Sequence, residues 1–451
     1  MSRLARVAAA ALTLAAAVPT GGGLRAQGVQ RCAPDIVRAG PRVERPDPDG
    51  SGTLTAYLSG PVTVTCGDAV MTGDSAVWRP ALERAVMIGS VRYRDTTRTL
   101  NSDRLTFFGR TDQVLAEGSV RLVRLATGAT LEGPAARFFR TPFAGSRTVA
   151  TGRPRMTLPS GRGESGAIST AVIDADVSEF LGETEAFARG DVVMVRGDIR
   201  AVADSARFSE AVALAVLYGR PVVTGPAFEL EGDSIRAGFE VGELRTIHSF
   251  GDARATGEGH RMHSEQIRAV VAGDVVETLW AFGRGRSLAS SEQFVLAGDS
   301  IVFGFVDGRA DSLTAVGRAA AAEVDSAAAA PDAPLAEPVL DTRPGANWVA
   351  GDTVRAAFRP AAPTQAPEDP EAEGTAEGTA GEVWIDRLVA IGRARSFTAA
   401  VRDTATATTP SKNYMLGSRI EIAFEDGQPA HSRGSDAIGV FLEPGDGGGI
   451  P

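Results

Sequence analysis

The tripeptide Gly-Asp-Ser occurs three times, as "TGDSAVW" (72–78), "EGDSIRA" (231–237) and "AGDSIVF" (297–303). A serine nucleophile works only beside a base that can take its proton. The histidines are His248, His260, His263 and His431, and none has an aspartate three residues before it. An enzyme uses one nucleophile in one pocket, so three equivalent copies point to a repeating backbone, with no catalytic residue among Ser75, Ser234 and Ser300. His260 and His263 are the only close histidine pair, with no third ligand nearby. Four histidines and two cysteines in 451 residues leave little material for a zinc-type site, so neither a metal nor another cofactor is expected.

Composition narrows the classes further. The formal charge is −10, and the basic residues are nearly all arginines scattered singly, the wrong sign and pattern for a nucleic-acid binder. Fifty-two glycines beside 43% hydrophobic and only 6% aromatic residues suggest many short strands and turns.

The elements that carry the tripeptide emerge on alignment. "GDSAVW" (73–78), "SDRLTF" (102–107), "GPAARF" (133–138), "ADSARF" (203–208), "GDSIRA" (232–237), "SEQIRA" (264–269), "GDSIVF" (298–303), "GDTVRA" (351–356) and "GSRIEI" (417–422) share apolar residues two and four places after a small or acidic one. The residue between is usually polar, as in Thr106, Arg137, Arg207 and Arg236. Alternation with period two describes a half-buried β-strand. Between copies lies a glycine-centred element, as in "MIGSVRY" (87–93), "AEGSVRL" (116–122) and "ARGDVVM" (188–194). Glycine inside a strand marks a bulge or bend. Each unit is therefore expected to hold two short strands, one opening at the acidic residue and one kinked at glycine, repeating every 29 to 34 residues or so.

The N-terminus reads as a cleavable export signal over 1–26, with Arg3 and Arg6 preceding the apolar run 7–18. That run is too short to span a bilayer. An N-terminal arm (27–50) follows. The two cysteines, Cys32 and Cys66, are either one disulfide in an oxidising compartment or two separate thiols. The Pro-broken "AAAAEVDSAAAAPDAPLAEP" (319–338) reads as linker, assigned to 326–345, and the acidic, Pro-rich 359–381 as a disordered insert. The remaining units are 51–165, 166–325 and a degenerate β region, 346–445.

Segments such as "SDRLTFFGRTDQVLAEGSVRL" (102–122) and "ADSARFSEAVALAVLYGRPVV" (203–223) resemble the OstA-like β-jellyroll family of lipopolysaccharide transport, the fold of LptA-type bridge proteins and of the LptD N-terminal domain. The pattern covers 51–325 well and 346–425 weakly. The resemblance implies an all-β fold of tandem, V-shaped, partly open jellyrolls formed from antiparallel strand pairs. It also implies a non-enzymatic periplasmic carrier, free or at the outer membrane, that shields the acyl chains of lipopolysaccharide or lipid A. Edge strands would pair with other jellyrolls of a bridge or translocon. The trough candidates are Trp78, Leu105, Phe107, Phe138, Phe208, Ile235, Ile267, Ile301 and Phe303, which could equally fill a closed core. The alternative is a structural β-repeat scaffold of the envelope or surface.

Overall fold

A computed structural model describes residues 34–46, 52–140, 147–162, 168–257, 259–272, 275–291, 294–306, 308–324, 335–342, 347–360, 383–400, 411–425 and 428–442. The expected signal segment, Cys32 and residues 361–381 of the expected insert lie outside these. The described chain is all-β apart from one 3-10 turn at Pro80–Leu82.

The strands in order are β1 (Asp35–Arg38), β2 (Arg42–Pro46), β3 (Leu54–Cys66), β4 (Ala69–Arg79), β5 (Arg84–Arg94), β6 (Arg98–Phe108), β7 (Gln113–Arg124), β8 (Thr130–Phe139), β9 (Arg147–Thr151) and β10 (Arg155–Arg162). Next come β11 (Ile168–Asp174), β12 (Val177–Leu181), β13 (Glu185–Arg196), β14 (Ile199–Ser209), β15 (Leu214–Tyr218), β16 (Val222–Thr224), β17 (Glu229–Glu231), β18 (Ser234–Glu240) and β19 (Glu243–Gly257). The last are β20 (His260–Ala272), β21 (Val275–Ser290), β22 (Phe294–Val306), β23 (Arg309–Glu323), β24 (Trp348–Pro360), β25 (Val383–Ala400), β26 (Ser411–Glu425), β27 (Gln428–Ser435) and β28 (Ile438–Leu442).

All pairings are antiparallel and follow chain order. Where a tier is split in two, both pieces share one neighbour, β9 and β10 pairing with β8 and β15 and β16 with β14, while on the other side β9 pairs with β12, β10 with β11, β15 with β18 and β16 with β17. The ladder runs unbroken from the β1/β2 edge to the β27/β28 edge.

Most strands are long and bent in the middle, which corrects the expectation of short strands opening at the acidic residue. Asp74, Asp103, Asp204 and Asp299 stand mid-strand, in β4, β6, β14 and β22. The bend comes from the next strand. In β5, Gly89 (φ 77°) and Ser90 (φ 45°) are left-handed, and the register slips by one residue against both β4 and β6. The same pair recurs at Gly118/Ser119, Gly190/Asp191, Gly251/Asp252, Gly317/Arg318 and Gly392/Arg393. A bulge at one height in every second strand bends the whole sheet along one line. Most bulge glycines lie under the acidic side chain of the preceding tier, whereas Gly60 faces Gly40 and Gly152 faces Pro134. A Cβ on Gly89 would sit 2.5 Å from Asp74 Oδ2, and Gly118, Gly190, Gly219, Gly251, Gly317 and Gly392 face Asp103, Asp176, Asp204, Asp233, Asp299 and Asp352 in the same way.

The bend divides the ladder into an upper half, C-terminal to the acidic residues, and a lower half. These two halves face each other in a jellyroll-like arrangement. Tyr93 of lower β5 packs edge-on against Phe138 of upper β8, and Phe294 of lower β22 meets Phe358 of upper β24. Inward residues of both halves form one core cluster running from Leu58 to Ile422.

Two further readings change. Ala319–Glu323, expected in a linker, finish β23. Ala319 and Ala321 enter the main core, while Ala320 and Ala322 join Trp348, Ala350, Phe397 and Ala399 in a second cluster. Residues 335–342 form an irregular strap packed there through Leu340 and held by the Trp348 indole, which donates to the Asp341 carbonyl at 2.7 Å. In addition, Asp176 marks a copy of the repeat that the alignment passed over. Its side chain lies over Gly190, and Phe180 takes the inward aromatic place, but buried Ser178 stands where the pattern requires an apolar residue.

Candidate functional site

Every inward position read from the repeat is buried, except Trp78, which is half-buried at the end of β4. Leu105, Phe107, Phe138, Ile235, Ile267, Ile301 and Phe303 are at most 1% exposed, and Phe208 is 7% exposed. All of them lie on the upper half, because each follows the acidic residue at the bend, or Pro134 in its place. The facing wall comes from residues after the glycines and before the acids: Met71, Tyr93, Leu100, Leu122, Leu131, Met156, Ile173, Met262 and Leu296. The aligned hexapeptides contain none of these lower-wall residues, so sequence reasoning found one wall and missed the other.

The three tripeptide serines are half-buried at the bend. Among the described residues, no hydrogen bond joins them to a histidine: His248 Nε2 contacts Gln266 Oε1 at 3.1 Å and His263 Nε2 contacts Asp252 Oδ1 at 2.7 Å. His260 and His263 sit an odd number of residues apart on β20 and so project to opposite faces. His260 points inward, edge-on to Phe303 at 4.9 Å between centroids, and burial pushes its pKa down to about 4.

The distinctive chemistry lies where the free ends of the two halves meet, at the mouth of the fold. Arginines at the lower turns cross this mouth and stack on upper aromatic rings. Arg98 covers Phe138 with 4.7 Å from Cζ to centroid, Arg124 covers Phe180 at 4.6 Å and Arg196 covers Phe239 at 4.7 Å. All three are buried, at 5 to 8% exposure. Hydrogen bonds to the upper lip tie them down: Arg98 Nη1 donates to Thr148 Oγ1 at 3.1 Å, Arg124 Nη2 to the Gly182 carbonyl at 2.9 Å, and Arg196 Nη2 to the Gly242 carbonyl. Arg140, on the upper lip, reaches the opposite way to Asp68 at 3.3 Å. Arginine suits this position because its apolar stem and planar head cover a ring face while its N–H groups satisfy carbonyls. The spread of single arginines along the chain hid this row, since nothing local distinguishes Arg98 or Arg124 from exposed neighbours such as Arg92 or Arg121.

Around Arg98 the seal is a full network. The Tyr93 hydroxyl donates to Asp95 Oδ2 at 2.7 Å, and Asp95 Oδ1 accepts from the Thr97 and Arg98 amides at 2.8 Å each. Burial and the adjacent Asp95 carboxylate push the Tyr93 pKa upward.

Further along, the seal gives way. Between the lower turn at Pro226–Phe228, the strand end Ala255–Gly257 with His260 and Met262, and the upper residues Val275, Val276, Leu279, Phe303, Phe305, Gly308 and Arg309, the mouth holds a cleft of about 300 Å³. Its lining is mainly apolar, with the neutral imidazole of His260 inside and exposed Arg309 among its wall residues. This volume is at the lower end for ligand pockets, about 300 to 1,000 Å³. Of the nine trough candidates, Phe303 alone lines it.

Cys66, buried at the end of β3, is disulfide-bonded. The chain has one other cysteine, Cys32, which lies outside the described residues.

No protein-family model matches the chain. No curated protein matches it. Among solved structures it is similar to the crystal structure of LptH, the LptA-homologous periplasmic component of the lipopolysaccharide transport device of Pseudomonas aeruginosa. The two are 18% identical with a TM-score of 0.23, over 32% of this chain and 92% of that one.

Proposed function

We propose that this protein is a non-enzymatic carrier of lipopolysaccharide or a related amphiphile in outer-membrane assembly. The observation that carries this reading is the change along the mouth, from arginine-sealed core to an apolar cleft between Phe228, Phe303 and Phe305. An acyl chain crossing an aqueous compartment gains by leaving water, and a cleft continuous with a long apolar core offers that shelter. The repeat resemblance to lipopolysaccharide-transport jellyrolls supports the same assignment. In this reading the chain works in the periplasm, after removal of 1–26, and Cys32 pairs with Cys66.

Among the described residues, β1/β2 and β27/β28 are edges with one paired side each, where strands could add. β1/β2 and β27/β28 run in opposite directions, so another jellyroll added after β28 continues the antiparallel alternation. β28 exposes Ile438 (75%) and Val440 (53%), an unusually apolar edge for a strand meant to stay unpaired.

A second reading, a structural scaffold, draws support from the burial of eight of the nine trough candidates. Depletion in the native host separates the two. The carrier reading expects outer-membrane permeability to rise and lipopolysaccharide to co-purify with the protein. An intact barrier and lipid-free protein would favour the scaffold.

A further inference from the structure

Arg124 is a sealing arginine that keeps one buried side-chain nitrogen without a hydrogen bond. Its side chain is 8% exposed, Nη2 donates to the Gly182 carbonyl, and Nη1 is buried without a hydrogen-bond partner among the described residues. Its one ion-pair partner, Glu210, stands 3.7 Å away. Burial pushes the Arg124 pKa down against the opposing pull of the Glu210 and Glu183 carboxylates, and pushes the Glu210 pKa up. A buried guanidinium in this state is a strong receptor for a group able to accept two parallel hydrogen bonds, as a phosphate does.

The surrounding turns supply a second, independent feature. Leu125, beside the arginine, is 45% exposed; Leu181, next to Gly182, is 38% exposed; Val212, in the turn of Glu210, is 68% exposed. Leu125 tips a lower turn, where Asp95-Thr96-Thr97 and Gly197-Asp198 are polar, and Leu181 and Val212 tip the upper lip, where Leu82, Val241 and Val306 are exposed at other turns. Three apolar tips around one buried cation match an amphiphile, with an anionic head and an alkyl tail.

We propose that Arg124 is the anion-binding latch of a second amphiphile subsite on the seam: a phosphate ester draws the guanidinium off Phe180, and the alkyl chain takes the ring face thus uncovered. This rests on the carrier reading and adds the group that selects the head. The chemistry recognised is a phosphate, whether on a lipid or free in solution.

The test titrates the full mature chain with dodecyl phosphate, dodecyl maltoside and inorganic phosphate, each below its aggregation concentration. The unsubstituted protein is expected to prefer dodecyl phosphate over dodecyl maltoside by at least about tenfold, the scale of one charge-assisted contact. Arg124→Met is expected to abolish that preference, and Arg124→Lys, which keeps the charge, to retain part of it. A readout that needs no substitution is amide hydrogen exchange, which should quicken in the 125–129 turn with dodecyl phosphate and not with dodecyl maltoside. A preference that survives Arg124→Met, or unchanged exchange in that turn, overturns the proposal. Binding of inorganic phosphate with no preference between the two amphiphiles also overturns it, leaving a free-phosphate site. If neither amphiphile binds, the carrier reading fails and the latch falls with it.

Discussion

Arg98 and Phe138 meet across the mouth of the jellyroll, the guanidinium 4.7 Å above the ring, with the buried Asp95 carboxylate 3.5 Å from Arg98 Nε. The contact joins the lower end of β6 to the upper end of β8 and recurs at Arg124–Phe180 and Arg196–Phe239. Cation–ring contacts thus close the mouth at three places before β20, and the stretch around Phe303 and Phe305 holds an apolar cleft.

Removing the Arg98 cation leaves Asp95, 8% exposed, with an uncompensated buried charge. Arg98→Met is expected to destabilise the protein by about 3 to 5 kcal/mol, the usual cost of breaking a buried pair from one side. Urea unfolding measures this, and a loss of less than about 1 kcal/mol would show that the seal contributes little.

Gly89→Ala tests the bend. The substitution places a methyl group against Asp74 Oδ2 and forces a left-handed φ on alanine. A loss of about 1 to 3 kcal/mol is expected from the backbone strain. Removing the carboxylate as well, in Asp74→Ala with Gly89→Ala, should recover part of that loss. If the double variant is no more stable than Gly89→Ala alone, the acid-over-glycine contact is not the constraint.

Stability and binding should separate between the sealed and open stretches. Phe107→Ala empties a fully buried site and is expected to cost about 3 to 5 kcal/mol. Half-buried Phe305 lines the cleft, so Phe305→Ala should cost less stability and weaken amphiphile binding. Equal effects of both on binding would contradict this division.

His260 gives the fold a pH dependence of defined sign. Burial holds its folded pKa at about 4, below the 6.5 of a free imidazole. Between those values the unfolded chain takes up a proton that the folded protein refuses. Stability is full above pH 6.5, falls as the pH drops, and is lower by roughly 3 kcal/mol below pH 4. His260→Phe should flatten that slope in urea titrations at successive pH values, and an unchanged slope would assign the dependence to other groups.

The amino-acid pattern made one half of this architecture legible. Apolar residues two and four places after an acid, such as Leu105 and Phe107 after Asp103, identify the upper wall because they share a face of one strand. Lower-wall residues such as Met71 and Met262 lie across the bend at Asp74 and Glu265, where the buried positions step by three, from Gly73 to Ala76 and from Ser264 to Ile267, and break the period-two count. The copy at Asp176 was hidden by a single buried serine, Ser178. The mouth could not be read at all, since Arg124 and Phe180 are brought together only by the fold of one half over the other.

The central claim, that the cleft receives acyl chains, is tested most directly by in-cell photocrosslinking from a probe residue replacing Phe305, with Phe107 as the sealed control. The account predicts a lipopolysaccharide adduct from position 305 and a much weaker one, or none, from position 107. A folded, correctly exported protein that gives no lipid adduct at position 305 would contradict it.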